Sequence, residues 1–158
     1  MKVTEYQEKI EFWAEARGLN RPEFAQRQCS KVMEEVGEFA GNLVRGNCVK
    51  DDIGDIFVTI VILAKQKNIQ VDFSKNELSK VYLGDPIKIY SLVGLLVSCK
   101  SDIQFKNIST VLVRELMSFC VLSNICFIEC IKIAWNEIKT RRGKMVNGTF
   151  IKEADLVS

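Results

Sequence analysis

Two groups of carboxylates stand at helical spacing between residues 34 and 55. Glu34, Glu35 and Glu38 form the first group, and Asp52 and Asp55 form the second after the spacer 39–51. Because residues three and four apart share a helix face, each group gathers negative charge on one side of a helix. All-oxygen ligand sets suit Mg²⁺ or Mn²⁺, which keep positions open for water and substrate phosphates. The residue types and spacing therefore indicate metal-assisted chemistry on a phosphate compound.

The surroundings of these acids favour a bound cation. At about 100° per residue, Glu35 borders an apolar stripe centred on Val36, while Glu34 and Glu38 lie further round the helix. The second group opens the segment 52–64, which is almost wholly apolar and contains no Lys or Arg. An ionised carboxylate in apolar surroundings is costly unless it is paired or bound to a cation. A divalent metal would neutralise more of this charge than basic side chains from elsewhere.

A simpler interpretation exists for each group taken alone. Three glutamates can form a solvated helix face, and Asp51 and Asp52 can cap a helix N-terminus and interact with its dipole. Gly37 and Gly54 favour a site instead, since each lowers helix propensity by about 1 kcal/mol and lies inside an acidic group. Glycines at these positions indicate a close approach of neighbouring helices.

Composition excludes several classes of protein. The absence of His excludes Ser-His-Asp and Cys-His catalysis and zinc sites of the HExxH type. A net charge of +2 gives no overall field, so we expect neither nucleic acid nor a membrane surface as a partner. The six cysteines form no CxxC pair, and the longest uncharged apolar stretch, 116–128, is short for a membrane span. We expect a soluble protein of the reducing cytoplasm.

The dominant period of the apolar residues is helical. It predicts an all-α single domain over 1–158, with a short hairpin-like tail where Asn147-Gly148 separates two short apolar runs. Pro22 and Pro86 lie where helices should begin, the second preceded by Asp85 as an N-cap. The predicted helices are 3–17, 22–45, 51–67, 86–99, 104–121 and 124–141.

The acidic pattern resembles that of a known family. Glu34-Glu35-x-x-Glu38 followed by Asp52-x-x-Asp55 is similar to the EExxE, spacer, ExxD signature of MazG-like all-α nucleoside triphosphate pyrophosphohydrolases. The segment 134–150, AlaTrpAsnGluIleLysThrArgArgGlyLysMetValAsnGlyThrPhe, is similar to the closing segment of phage-type and bacterial members. The resemblance covers 1–70 and 124–153 and implies a helical bundle of that family's type. Asp52 stands where the signature often has Glu, which shortens one ligand arm by a methylene.

The resemblance also implies a reaction. Members hydrolyse (deoxy)nucleoside triphosphates to the monophosphate and pyrophosphate with Mg²⁺, for which Mn²⁺ can substitute. Carried over residue by residue, it implies Glu35, Glu38, Asp52 and Asp55 as metal ligands. Glu34 would hold a further ion or act as the base that orients water, which makes Glu34, Glu35 and Glu38 the catalytic group. Water activated by a carboxylate-bound metal needs no covalent nucleophile.

Substrate phosphates also need fixed cations. Lys31 lies one helical turn before the first acidic group, and Asn136, Lys139, Arg141 and Lys144 match the family's closing segment. These five are the predicted contacts to nucleotide or phosphate. The alternative for the basic stretch is a helix C-terminus whose cations complement the helix dipole.

The segment of about 74–123 is an apparent insertion relative to short family members. Its pattern predicts one or two helices. These could serve packing, oligomer contact or a lid that shapes the substrate site. The resemblance implies a homodimer or homotetramer, and dUTP-selective or phosphoribosyl-ATP-type hydrolysis stays open. The competing function is a catalytically inert helical module that senses nucleotide or metal. A purely structural bundle would neutralise the acids with internal Lys and Arg.

Overall fold

The computed structural model describes residues 1–73, 83–146 and 149–153. Within these ranges the chain is almost entirely helical, so the predicted all-α class is confirmed. A small antiparallel hairpin closes the described chain. The elements are α1 Val3–Ala16, α2 Ala25–Val44, α3 Lys50–Gln66, α4 Pro86–Ser98, α5 Asp102–Leu122, α6 Phe127–Ile138, β1 Gly143–Val146 and β2 Thr149–Lys152.

Local sequence signals account for several helix ends. The Asp85 side chain accepts a hydrogen bond from Ile87 N at 2.9 Å, so α4 begins at Pro86 as predicted. Pro22 instead begins a short 3₁₀ helix, Pro22–Phe24, which leads into α2. Helix α6 begins later than predicted because Asn124 has a positive φ of 54°, which a helix cannot contain. The remaining predicted ends agree to within a few residues.

The hairpin is confirmed as two paired strands. Met145 pairs with Phe150, and Val146 pairs with Thr149. The Asn147-Gly148 turn that predicted the hairpin lies outside the described residues.

Helix α3 forms the centre of the bundle. It packs against α2 on one side and α6 on another and also contacts α1. Ile53, Ile56 and Ile60 are among its residues with no exposed surface, and the Phe57 ring lies edge-on to Phe127 with centroids 5.7 Å apart. Burial on nearly all sides explains why this helix is a continuous apolar run after its first turn.

One of the two glycines in the acidic groups marks a close helix approach. A Cβ atom on Gly54 would lie 2.3 Å from the Cys130 carbonyl oxygen and 2.8 Å from Ala134 Cβ, so only glycine lets α6 lie this near to α3. For Gly37 the prediction is wrong, because a Cβ there would meet nothing within 4 Å. The Gly54 contact holds the middle of α6 against the start of α3.

Helices α4 and α5 form a pair on the α2 side of the bundle. The Phe39 ring of α2 meets Phe119 of α5 edge-on at 5.3 Å, and the fully buried Glu115 is held by an ion pair with Lys88. The additional helices predicted in the middle segment are therefore present, and residues 74–82 of that segment lie outside the described residues.

Among the described helices none is by itself both long and apolar enough to cross a membrane. Among helix pairs in the described ranges, α5 and α6 taken together reach that length and composition, and their axes are bent by 111°.

Candidate metal centre and substrate cleft

A cleft of about 860 Å³ opens between α2 and α3 and is closed at its sides by α1, the end of α6 and the hairpin. Its described lining carries six carboxylates and three basic side chains, an excess of negative charge in a partly enclosed space. The carboxylates are Glu34, Glu35, Glu38, Asp51, Asp55 and Glu137. Such an excess favours binding of a multivalent cation.

Three of these acids come together at one end of the cleft. Asp51 and Asp55 are one turn apart at the start of α3, and Glu137 reaches them from the end of α6. Each offers a carboxylate oxygen, and the three oxygens lie within 4.8 Å of one another. Oxygens bound to one Mg²⁺ at about 2.1 Å are at most about 4.2 Å apart. The cluster therefore fits a hard divalent ion after a small movement of the side chains.

Asp55 carries the clearest electrostatic sign of this crowding. Burial, together with the charges of Glu35, Asp51 and Glu137, raises its pKa from 3.8 to about 7, and the nearby Arg141 guanidinium only partly opposes this. The pKa of Asp51 is also raised, first by burial and then by Glu137. A cation bound here would relieve the repulsion and restore both carboxylates to the ionised form.

The opposite wall is the predicted glutamate face of α2. Glu35 is buried as predicted, and burial raises its pKa even though Lys31 lowers it. Lys31 Nζ lies 2.8 Å from Glu35 Oε1 and 3.0 Å from Glu34 Oε2, so one cation bridges two acids. Burial lowers the pKa of Lys31, but these two hydrogen bonds outweigh it and leave the pKa raised. Glu38 lines the cleft one turn further on and is exposed.

Asp52, a predicted metal ligand, lies elsewhere. Its side chain does not line the described cleft, and both of its oxygens accept hydrogen bonds from Asn42 Nδ2, at 3.1 and 3.0 Å. Asn42 is in turn fixed because its Oδ1 accepts from Asn47 Nδ2 at 3.1 Å. A neutral amide from α2 thus satisfies this buried carboxylate, and the position facing the cluster is taken by Asp51.

The predicted contacts of the closing segment divide into three cases. Arg141 lines the cleft and forms an ion pair with Glu137. Asn136 and Lys139 are exposed, do not line the described cleft, and are hydrogen-bonded to each other at 2.7 Å. The side chain of Lys144 lies outside the described residues.

Two of the clustered acids escaped prediction. The sequence alone favours a helix cap at Asp51, although its i, i+4 spacing to Asp55 also places the two carboxylates on one helix face. Glu137 follows the predicted substrate contact Asn136 directly, but its carboxylate was not among the predicted ligands. The spacing within α3 is a local signal for Asp51, whereas the rotation of α6 depends on its packing against α3.

Away from the acids the cleft is aromatic and apolar. Trp13 of α1 lines it together with Phe24 and Phe150, and the Trp13 and Phe150 rings are 6.2 Å apart. The Arg17 guanidinium lies over the Trp13 ring at 4.7 Å and donates hydrogen bonds to the Arg141 carbonyl at 3.2 and 3.0 Å. The cleft therefore joins a charged end to an end that suits a flat heterocycle.

Comparisons with known proteins give one partial match. A stretch of 62 residues is 47% identical to an uncharacterized 18.2 kDa protein of the rep-hol intergenic region of Haemophilus phage HP1. The match covers 38% of each chain, so well under two thirds of that relative is spanned. No family model matches the chain, and no solved structure matches it.

Proposed function

We propose that the protein is a Mg²⁺-dependent nucleoside triphosphate pyrophosphohydrolase of the MazG-like type. The observation that carries the proposal is the cluster of Asp51, Asp55 and Glu137, which faces the buried Glu35 across one cleft. The resemblance to the EExxE, spacer, ExxD signature implies two acidic helices packed face to face. In this proposal Asp51, and not Asp52, is the ligand beside Asp55.

The residues present fit a Mg²⁺ ion, for which Mn²⁺ would substitute. Asp51, Asp55 and Glu137 would hold it, and Glu35 and Glu38 would complete the ligand set from α2. The donors are all oxygens, as these hard ions require. Such an ion lowers the pKa of a bound water and neutralises phosphate oxygens.

The chain's own side chains would do the rest of the work. Lys31 and Arg141 line the cleft on either side of the acids and would bind phosphate oxygens. Glu34, which is half exposed and already paired with Lys31, would keep that lysine aimed into the cleft or orient the attacking water. With Asn136 and Lys139 paired outside the cleft, we assign neither of them to substrate.

The test is release of pyrophosphate from a panel of canonical, deoxy- and modified nucleoside triphosphates, with Mg²⁺, with Mn²⁺ and with chelator. We expect metal-dependent formation of monophosphate and pyrophosphate. The Asp55→Asn substitution should lower the rate of this reaction by at least about 100-fold. The panel also separates a dUTP-selective enzyme from a broad one. Silence of the folded protein on every substrate would refute the proposal.

The internal ion pairs favour a second candidate, a catalytically inert module that senses nucleotide or metal. Lys31 already neutralises part of the charge of Glu34 and Glu35, and Arg141 does the same for Glu137. Such a module would show a rise in melting temperature with Mg²⁺ or nucleotide but no product.

Assembly into a homodimer or homotetramer in the cytoplasm is part of the proposal. Helices α4 and α5 expose large apolar side chains that a second copy could cover. They are Ile87, Leu95, Ile103, Val121 and Leu122. The six cysteines are free, as the reducing cytoplasm would keep them. Light scattering during gel filtration would give the number of chains.

A further inference from the structure

Two buried polar atoms on the wall of the cleft have no partner within the described part of the chain. Trp13 is 7% exposed and Gln66 is 1% exposed, and Trp13 Nε1 and Gln66 Oε1 have no hydrogen-bond partner among the described residues. Both residues line the cleft. Buried polar groups normally form hydrogen bonds. An unpaired donor and an unpaired acceptor beside one cavity therefore indicate a ligand that forms a hydrogen bond with each of them.

The unpaired Gln66 atom is an acceptor. Its Nε2 donates to the Leu19 carbonyl oxygen at 2.8 Å, and a backbone carbonyl can only accept, so the amide cannot be reversed. Trp13 Nε1–H can only donate. The cleft thus offers one donor and one acceptor, each on a side chain held by packing.

The position of Gln66 along α3 suits the base end of a bound nucleotide. Gln66 is the last residue of α3, eleven residues or about 16 Å along the helix from Asp55 of the acidic cluster. Between them the α3 wall carries Val58, Thr59 and Ile62. Phosphates at the acidic end and a ring at the Gln66 end would use the full length of the cleft.

Resting on the proposed function, we propose that Trp13 and Gln66 form the nucleobase subsite. Trp13 Nε1 donates to a ring nitrogen or carbonyl of the base, and Gln66 Oε1 accepts from its amino group or ring N–H. Leu19, Phe24 and Ile62 supply the apolar walls. Because neither polar atom is open to solvent, the base enters with a local shift of these walls. The ligand class is a heterocycle with both a donor and an acceptor on its edge.

The direct test follows the Trp13 indole N–H by ¹H–¹⁵N NMR in the wild-type protein, with Mg²⁺ and without turnover at low temperature. The chain has two Trp, so Trp135→Phe, outside the described cleft lining, assigns the signal. The probes are dATP, dGTP, dCTP, dTTP and dUTP, with 2-deoxyribose 5-triphosphate as the probe lacking a base. We expect at least one nucleotide to move the indole signal downfield and the base-free probe to leave it in place.

Binding measured by calorimetry gives the second readout. Trp13→Phe keeps the ring and removes the donor, and Gln66→Met keeps the size and removes the acceptor. Each should weaken the preferred nucleotide about tenfold and leave the base-free triphosphate unchanged. Nucleotide binding with an unmoved indole signal and unchanged affinities in both variants would overturn the subsite, as would no nucleotide binding at all. A nucleotide that binds in this way without being hydrolysed would refute the proposed reaction alone.

Discussion

Asp52 and Asn42 form a closed pair between α3 and α2, in which both carboxylate oxygens accept from one amide nitrogen at 3.1 and 3.0 Å. Because of this pair Asp52 is buried beside the cleft wall and not within it. Its neighbour Asp51 faces Asp55 and Glu137. Neighbouring helix residues point about 100° apart, and this difference leaves Asp51, and not Asp52, available to a metal.

The first prediction compares these two neighbours. Asp52→Asn keeps a side-chain oxygen that can accept from Asn42, so turnover should stay within about threefold of wild type. Asp51→Asn removes a proposed ligand and should reduce turnover by about 100-fold or more. Both variants are assayed for pyrophosphate release, with circular dichroism as the folding control. The reverse ranking would restore Asp52 as the ligand implied by the family signature.

The second prediction concerns the pH dependence of metal binding. Asp55 must be ionised to hold a cation, and its pKa in the metal-free protein is about 7. Mg²⁺ affinity should therefore fall by about tenfold per pH unit below 7 and level off above it. Calorimetry in buffers of different ionisation enthalpy should also detect proton release on binding at pH 6. An affinity that is flat from pH 5.5 to 8.5 would show that Asp55 does not titrate with the metal.

The third prediction concerns the stability of the metal-free protein. The pKa of Asp55 is raised on folding, so its contribution to stability is full below the unfolded pKa of about 3.9 and is lost as the pH rises through about 7. Asp55→Asn should thus stabilise the protein in chelator at pH 8.5 by about 1 kcal/mol, or about 2–4 °C. This gain in the stability of the variant should vanish near pH 4. Adding Mg²⁺ should also remove it, because the ion stabilises only the wild type. A variant less stable than wild type in chelator at pH 8.5 would contradict the repulsion.

The fourth prediction uses the two glycines as a matched pair. Gly54→Ala places a Cβ against the Cys130 carbonyl, so we expect a loss of about 1–3 kcal/mol in the free energy of unfolding and a shift of α6 away from the cluster. Gly37→Ala meets nothing within 4 Å and should gain up to about 1 kcal/mol from helix propensity. Urea unfolding measures both. Equal effects would mean that α3 and α6 are not in close contact at Gly54.

Much of this fold can be predicted from the sequence because the signals are local. Apolar periodicity and the Asp85 cap locate the helices to within a few residues, and the almost wholly apolar run 52–64 predicts that α3 is buried. The burial of Glu35 and the close approach at Gly54 also follow from the pattern around them.

The parts of the site that escaped prediction depend on how helices are rotated against each other. Spacing fixes which residues share a helix face. It does not show that Asn42, ten residues away, donates hydrogen bonds to both oxygens of Asp52. Glu137 joins the cluster from the other end of the chain, and only the packing of α6 on α3 selects it over Asn136. Non-local packing of this kind cannot be predicted from the periodicity of one helix.

The most direct test of the central proposal is ³¹P NMR of the products formed from the preferred nucleoside triphosphate, with wild type and Asp55→Asn side by side. We predict monophosphate and pyrophosphate in equal amounts with Mg²⁺, none with chelator, and at most about 1% of the wild-type rate in the variant. Diphosphate and inorganic phosphate as products, or full activity of Asp55→Asn, would contradict the proposed reaction at this carboxylate cluster.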